Sequence, residues 1–281
     1  MEKESASTEA QVLSSLVYRI KRTIPLGCWL YVFDIDCSPE GSLCLSAINI
    51  KDYKAKLKSI LFTSPYGRYM ATNSSTDYYY TSVNSVFKVM LSDFSKEKKK
   101  IWPVEVRKPN PGCITNDGYT PQGITVRKSG DVLICLWNNE IGEKSLGKVI
   151  STNGILNIFT DKNHPLYVCP TYIAENGNGD ICVSDVRAVV VTDAGGMLRF
   201  RYQGNSSSSN FDPYGICCNS FCNIIVADTK NDKIHVVDKD GQFLHHVIYH
   251  GIKMPRVVCV DENNDLHVGE WHTDTINVIE R

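Results

Sequence analysis

The sequence predicts an all-β fold, a six-bladed β-propeller whose blades are four-stranded antiparallel sheets. Three observations lead to this prediction. Short β-branched strands alternate with turns in a pattern that begins again roughly every 45 residues. The turn residues of this pattern can be counted along the chain. The final blade has three strands, and a strand near the N-terminus is available as its fourth.

The pattern is clearest between Pro213 and Pro255. Apolar, β-branched runs bounded by Asn, Ser, Asp and Gly are typical of short strands joined by turns. Strands are predicted at 216–218, 224–227, 233–237 and 243–249. At Pro255 the same pattern begins again, so these four strands describe one complete blade.

The blade count follows from two repeated features. The later blades open on a proline, at Pro121, Pro170, Pro213 and Pro255. The turn after each opening strand carries Gly or Asn, which tolerate the positive φ of a tight hairpin: Gly130, Gly179, Asn223 and Asn264. Successive turns are 49, 44 and 41 residues apart, and 89 residues separate Gly41 from Gly130. One blade with poorly defined strands, within 65–118, fits into that longer interval, which gives six.

The two ends of the chain are expected to close the ring together. Residues 1–11 are polar and predict a disordered tail, so the propeller is assigned to 12–281. The last strand, 276–279, is the third of its blade. The segment 16–20 is expected to pair with it as the fourth strand, because a closed ring leaves no exposed sheet edge.

Composition narrows the range of functions. The 281 residues are 42% hydrophobic and 22% charged, with 30 Lys and Arg against 31 Asp and Glu. This balance provides no large field of one sign to attract DNA or a membrane surface. No apolar run approaches the ~20 residues of a spanning helix, and the acidic N-terminus does not resemble a signal peptide. A cytoplasmic location is therefore expected.

The eleven cysteines are expected to be free thiols in a reducing compartment, since their number is odd and most of them lie in predicted strands. Cys217, Cys218 and Cys222 are close in sequence. However, Cys217 and Cys218 are adjacent strand residues that point to opposite faces, which disfavours a shared metal ion. No metal or other cofactor is predicted.

The segment 225–238, IVADTKNDKIHVVD, resembles the NHL repeat, whose pattern is roughly V-A-D-x-x-N-x-R-I-x-V-F-D. Lys233 stands at the usual Arg position. Another blade keeps the aspartate as Asp185, whereas the blades containing Trp137 and Trp271 depart from the pattern. We expect Asp185, Asp228 and Asn231 chiefly to shape turns by hydrogen bonding.

Among NHL proteins, the chain is most similar to the C-terminal propeller of tripartite-motif (RING/B-box) proteins. In that family the propeller binds partner proteins or single-stranded RNA, and a RING carries ubiquitin-ligase activity. This chain has no paired C-x-x-C framework for a RING. The resemblance therefore implies a non-catalytic recognition module in the ubiquitin pathway.

Propellers bind ligands where loops converge on one face, so exposed aromatic and arginine side chains there are the natural anchors. One group of candidates follows the second strands of the blades: Trp137, Asn138, Arg187, Lys230, Trp271 and His272. A second group follows the blade-opening prolines: Tyr172, Tyr214 and Arg256. Trp137 and Trp271 hold corresponding positions, and packing between blades is the alternative role for both.

The ligand is expected to be a protein or peptide. Binding single-stranded RNA, the first alternative, needs a basic face interleaved with aromatic residues. Arg187, Lys230, Lys253 and Arg256 supply positive charge, but acidic residues are at least as numerous on this face: Asp185, Asp228, Asp232, Glu270 and Asp274. The face is therefore not predicted to be basic.

A calcium-dependent, lactonase-like hydrolase is the second alternative. Such propellers hold calcium on the axis with several converging oxygen ligands. The residues that follow the blade openings are Phe33, Gln122, Thr171, Tyr214 and Arg256, none of them a carboxylate. No nucleophile motif such as G-x-S-x-G accompanies the histidines. The chain is therefore not expected to be an enzyme.

Overall fold

A computed structural model describes residues 18–26, 30–37, 43–49, 69–73, 77–82, 85–90, 99–102, 119–138, 147–152, 165–205 and 210–280. The predicted tail, 1–11, lies outside these residues, so the division of the chain into a tail and a domain stays a prediction. Within the described ranges no helix is long and apolar enough to cross a membrane.

The described secondary structure is almost entirely β. Its strands are β1 Arg19–Pro25, β2 Leu30–Cys37, β3 Leu43–Asn49, β4 Met70–Asn73, β5 Asp77–Ser82, β6 Ser85–Met90, β7 Lys99–Trp102, β8 Tyr119–Val126, β9 Val132–Asn138, β10 Lys148–Ser151, β11 Tyr172–Glu175, β12 Ile181–Asp185, β13 Ala188–Thr192, β14 Leu198–Tyr202, β15 Pro213–Cys218, β16 Ile224–Asp228, β17 Lys233–Val237, β18 Phe243–Val247, β19 Pro255–Val260, β20 Leu266–Glu270 and β21 Thr275–Glu280. A short 3-10 turn, Thr229–Asn231, joins β16 to β17.

These strands form a propeller with five blades of three or four antiparallel strands. Blade I is β4 to β7, blade II is β8 to β10, blade III is β11 to β14 and blade IV is β15 to β18. Blade V consists of β19, β20, β21 and β1. The strands β2 and β3 pair with each other as a two-stranded sheet, which we call the N-terminal hairpin.

The prediction of six four-stranded blades is therefore wrong. Gly41 predicts the turn of a complete blade, but it lies outside the described residues, and the described strands on either side of it, β2 and β3, pair only with each other. Blade II likewise has three described strands rather than four. A hairpin turn and a repeat spacing locate two strands and say nothing of the outer ones, which is why the count was too high.

The N-terminal strand forms the outer strand of blade V, although not at the predicted residues. It is β1, Arg19–Pro25, rather than 16–20, and it runs antiparallel to β21, with Arg19 opposite Glu280 and Pro25 opposite Thr275. The Arg19 Nε lies 2.7 Å from Glu280 Oε1, and Lys21 Nζ lies 2.6 Å from Asp265 Oδ2. The two ends of the chain thus share one sheet.

The first strands of the hairpin and the five blades pack side by side in a ring. The order of contact is β2, β4, β8, β11, β15, β19, and β19 returns to β2. Glycine allows the closest approaches in this ring. A Cβ on Gly215 would lie 2.6 Å from the Arg256 carbonyl oxygen, and one on Gly123 would lie 2.5 Å from the Thr171 carbonyl oxygen. Neighbouring inner strands therefore touch through their backbones.

A buried carboxylate ends the second strand of blade IV and organises the contact with blade III. Asp228 accepts hydrogen bonds from the Asp212 backbone N–H at 3.1 Å and from the Asn231 side-chain amide at 2.9 and 2.8 Å. Its Oδ2 lies 3.2 Å from His235 Nε2, and His235 Nδ1 lies 2.7 Å from the Tyr202 hydroxyl. Burial raises the pKa of Asp228, but the hydrogen bonds from His235 and Asn231 lower it below its usual value.

Blades III and V place a carboxylate at the same position. Asp185 accepts backbone hydrogen bonds from Val168, Cys169 and Val186 at 2.8, 2.6 and 2.8 Å, so it shapes its own turn as predicted. Asp228 likewise accepts a backbone N–H from the segment before its blade, at Asp212, and it also accepts the Asn231 side-chain amide within its own turn. Glu270 accepts a hydrogen bond from the Tyr249 hydroxyl at 2.5 Å. A carboxylate thus occupies this position even in blade V, whose sequence departs from the NHL pattern.

Candidate functional site

The end of the ring where the inner strands begin, which we call the entry face, carries a repeated irregularity. Strand pairing shifts register near the start of β2, β8, β15 and β19. A bulge re-aims the side chain that is left out of the ladder, and bulges often lie beside functional sites. The residues left out here are Phe33, Gln122 with Gly123, Tyr214 with Gly215, and Arg256.

Arg256 lies among three aromatic side chains that come from different parts of the propeller. Its guanidinium carbon is 4.1 Å from the Trp271 ring centre, 4.6 Å from that of Tyr214 and 5.6 Å from that of Phe33. These distances are in the range of cation–π contacts. Trp271 belongs to blade V, Tyr214 to blade IV and Phe33 to the N-terminal hairpin, so the cluster spans the closure of the ring.

Tyr172 extends this cluster across the axis. Its hydroxyl donates a hydrogen bond of 2.6 Å to the Phe33 carbonyl oxygen, although β11 and β2 are not neighbours in the ring. Its ring meets Tyr69 edge to face at 4.8 Å and Tyr214 at 6.5 Å. We call Phe33, Tyr69, Tyr172, Tyr214, Arg256 and Trp271 the aromatic cluster. It covers the centre of the entry face.

The aromatic cluster contains a cation whose hydrogen bonding is incomplete. The Arg256 Nε is buried and has no hydrogen-bond partner. In the part of the chain that the structure describes, no carboxylate forms an ion pair with Arg256. A guanidinium keeps its charge and offers five donors in a planar fork. The cluster therefore presents one positive charge in largely apolar surroundings.

A cavity of about 170 Å³ lies along the axis behind Tyr172, with Asp34 and Asp36 in its wall. Asp34 accepts backbone hydrogen bonds from Met70 at 2.9 Å and Ile35 at 3.0 Å. Asp36 accepts from the Thr72 N–H at 2.6 Å and from the Thr72 hydroxyl at 2.8 Å. Burial raises the pKa of both carboxyls, that of Asp34 well above its usual value. These side chains fasten the hairpin to blade I.

Metal ligands are not assembled among the residues that the structure describes, where no group of three or more His, Cys, Asp or Glu could hold an ion. The axial carboxylates are bonded to backbone N–H groups and to Thr72 instead. Cys217 and Cys218 both border the cavity, beside Cys259. Cys259 Sγ lies 2.7 Å from Cys37 Sγ, and burial raises the pKa of the Cys259 thiol well above its usual value.

The structure brings five of the nine predicted site residues together. Tyr172, Tyr214, Arg256 and Trp271 belong to the aromatic cluster, and the His272 ring meets the Trp271 ring edge to face at 5.4 Å. Four others are not part of it: Trp137 and Asn138 end β9 in blade II, Arg187 lies in the turn between β12 and β13, and Lys230 lies between β16 and β17. Lys230 Nζ is 3.4 Å from Asp212 Oδ2. Whether these nine residues bind a ligand stays a prediction.

Two members of the aromatic cluster were missing from the predicted site. The sequence pattern aligns Phe33 with the blade-opening positions, where it is not a possible calcium ligand. The signal for it was the same alignment that selected Tyr214 and Arg256. Tyr69 precedes β4 in the region with the least regular sequence pattern, and the sequence offered no signal for it.

The architecture defines the class of protein: an all-β propeller. No protein-family model matches the chain. Protein lin-41 of Caenorhabditis elegans is 27% identical over 134 residues, which are 47% of this chain and 10% of that protein. The chain thus matches about a tenth of the length of this curated relative.

Solved structures with similar folds have diverse names. A calcium-binding protein, regucalcin, from Agrobacterium tumefaciens has a TM-score of 0.63 at 13% identity, covering 94% of this chain and 95% of that one. A gluconolactonase from Xanthomonas campestris has a TM-score of 0.60 at 12% identity, covering 93% of this chain and 94% of that one. Virginiamycin B lyase from Staphylococcus aureus has a TM-score of 0.56 at 17% identity, covering 92% of this chain and 86% of that one. At these identities the likeness shows a shared propeller fold.

Proposed function

We propose that the chain is a recognition module that binds a protein or peptide partner on its entry face. The observation that carries this proposal is Arg256, held among Trp271, Tyr214 and Phe33 with an unpaired Nε. Tryptophan, tyrosine and arginine are the residues most often found at the energetic centres of protein interfaces. Such anchors contribute most where neighbouring contacts exclude water, as the aromatic cluster does around Arg256.

Exposed apolar side chains continue the surface beyond the aromatic cluster. Val168 and Val186 are 44% and 52% exposed, and Asp185 holds the backbone N–H groups of both. Both lie on the entry face of blade III, where β11 begins and β12 turns into β13. Exposed apolar side chains on the same face as the aromatic cluster suit a peptide that lies across more than one blade.

Charge favours protein over RNA as the partner. RNA binding relies on several cations that neutralise successive phosphates. The aromatic cluster has one cation, Arg256, and Lys230 is engaged by Asp212. The similarity to lin-41 supports an NHL-type recognition domain. From the sequence resemblance we expect such a domain to act in the ubiquitin pathway, in the cytoplasm.

The enzyme alternatives rest on the fold likeness to a lyase and a gluconolactonase. In this chain the axial carboxylates Asp34 and Asp36 are occupied by hydrogen bonds from β4. That arrangement supports a structural role for them. The expectation that the chain is not an enzyme nevertheless stays a prediction.

The test is a pair of selections against the immobilised protein: a library of random dodecapeptides and a pool of randomised single-stranded RNA. We expect enriched peptides whose affinity falls at least about tenfold for Trp271→Ala, as expected for an interface anchor. Phe221→Ala is the matched control, because Phe221 is an aromatic residue that is 76% exposed on the opposite face, between β15 and β16.

Two results would contradict the proposal. One is enrichment of RNA alone, with affinity that depends on Trp271, which would make the entry face an RNA-binding surface. The other is peptide binding that is lost in Phe221→Ala and kept in Trp271→Ala, which would move recognition to the opposite face.

A further inference from the structure

We infer that Arg256 is a carboxylate-binding subsite, so that the partner segment carries an acidic residue or its C-terminal carboxylate at the centre of the entry face. This inference rests on the proposed function and specifies its ligand. It starts from the hydrogen bonding of Arg256, whose Nε is buried and unpartnered while its guanidinium carbon lies 4.1 Å from the Trp271 ring centre.

Three aromatic side chains surround the guanidinium of Arg256. The ring centres of Trp271, Tyr214 and Phe33 lie 4.1, 4.6 and 5.6 Å from the guanidinium carbon. The side chain is therefore confined by two blades and the N-terminal hairpin. The Tyr214 hydroxyl takes a hydrogen bond from the guanidinium, and two parallel N–H groups among its other donors match the two oxygens of a carboxylate. The fork is therefore arranged before any ligand arrives, which lowers the entropic cost of binding.

The electrostatic argument points in the same direction. A half-buried cation without an acidic partner is costly, because burial removes the water that stabilises it. Burial holds the pKa of Asp34, next to Phe33 on β2, well above its usual value, although the Arg256 charge is close enough to lower it. The oxygens of Asp34 accept the N–H groups of Met70 and Ile35. A ligand carboxylate would supply the missing counter-charge in an apolar setting where such a pair is strong.

One charge also selects the kind of anion. A phosphate dianion or a nucleic-acid backbone calls for several cations, whereas a carboxylate carries one negative charge. The other members of the aromatic cluster, at positions 33, 69, 172, 214 and 271, are uncharged at neutral pH. The cluster therefore matches a singly charged group flanked by apolar atoms, which describes an acidic side chain in a peptide.

The experiment runs the dodecapeptide selection on the wild-type chain and on Arg256→Gln in parallel. Individual enriched peptides are then synthesised with Asp or Glu replaced by Asn or Gln, each with a free and an amidated C-terminus. We expect removal of the carboxylate to weaken wild-type binding at least about tenfold, and to change binding to Arg256→Gln less than about twofold. The amidated forms identify whether the side chain or the C-terminus is the source.

Arg256→Lys provides a second variant, with melting temperature measured for each protein. Lysine keeps the charge but loses the planar fork, so partial rescue relative to Arg256→Gln supports carboxylate recognition. Enriched peptides that depend on Trp271 but tolerate both loss of their carboxylates and Arg256→Gln would overturn this inference and leave the proposed function standing. Absence of any enriched peptide would overturn both.

Discussion

Blade IV and the N-terminal hairpin are both fastened to a neighbour by buried aspartates, but the chemistry differs. In blade IV, Asp228 ends the second strand and accepts hydrogen bonds from the side chains of Asn231 and His235 as well as from a backbone N–H. In the hairpin, Asp34 and Asp36 lie on the inner strand itself and reach the backbone of β4 in the next blade.

The difference shows that the partner, rather than burial alone, sets the effect of a buried carboxylate. Burial raises the pKa of all three aspartates. For Asp228 the hydrogen bonds from His235 and Asn231 outweigh burial, and its pKa falls below the usual value. For Asp34 burial dominates, the nearby Asp36 adds to it, and the pKa stays well above that value. The two regions should therefore respond in opposite ways to mutation and to pH.

The largest effect is expected for Asp228→Ala. Removing the carboxylate leaves the Asp212 N–H and His235 Nε2 without this acceptor, and the Asn231 amide keeps only the Asn210 carbonyl oxygen. Leaving such groups buried and unpaired costs ~3 kcal/mol or more of unfolding free energy. Urea unfolding followed by circular dichroism at neutral pH would measure this loss.

Glu262→Ala is the control for that measurement, because Glu262 is an exposed carboxylate in the turn before β20. We expect its unfolding midpoint to match that of the wild type. A midpoint for Asp228→Ala equally close to the wild type would show that the network of Asn231 and His235 is dispensable.

A smaller loss of unfolding free energy is expected for Gly215→Ala. This variant tests whether blades IV and V depend on close backbone contact, whereas the hairpin is held to blade I by side chains. The added Cβ would lie 2.6 Å from both the Arg256 carbonyl oxygen and Val257 Cα, so β15 and β19 must move apart. Overpacking of this kind costs about 1–3 kcal/mol. In the control, Gly195→Ala, the nearest atom is 3.3 Å away at the edge of the Asp193 side chain. Equal midpoints for the two variants would contradict the tight approach.

Much of the regular part of this fold could be predicted from sequence. The prolines at 213 and 255 and the turns at Asn223 and Asn264 located the first and second strands, because β-branched runs and turn residues are local signals. Blade number could not be predicted in the same way. It depends on outer strands such as β1, whose residues are mostly exposed and whose pairing with β21 spans the whole chain.

The candidate site was predictable at its anchors and not in its assembly. Tyr214 and Arg256 were identified because they follow blade-opening prolines. Their contact arises from β-bulges, which the sequence pattern does not predict. Tyr69 was missed because it precedes a short strand in a region without a readable repeat. Contacts between distant blades depend on ring closure, and a local pattern contains no information on it.

The subtlest expected effect concerns pH and separates Asp34 from Asp228. Because the folded-state pKa of Asp34 is raised, the folded state holds a proton that the unfolded state releases above pH ~4. Unfolding free energy should therefore rise as pH falls from 7 towards 4, and Asp34→Asn should flatten this slope. For Asp228, whose pKa is lowered, stability is lost only as pH falls below ~4.

Urea unfolding of the wild type, Asp34→Asn and Asp228→Asn at pH 7, 5 and 4 would test this contrast. The loss of an acceptor adds a constant offset to each variant, so the slope with pH is the informative quantity. We expect Asp34→Asn to flatten the slope between pH 7 and 4, because it removes the group whose folded-state pKa is raised. Parallel slopes for the wild type and Asp34→Asn would mean that Asp34 is ionised in the folded state throughout this range. The backbone N–H groups of Met70 and Ile35 would then outweigh burial at the hairpin as His235 and Asn231 do in blade IV.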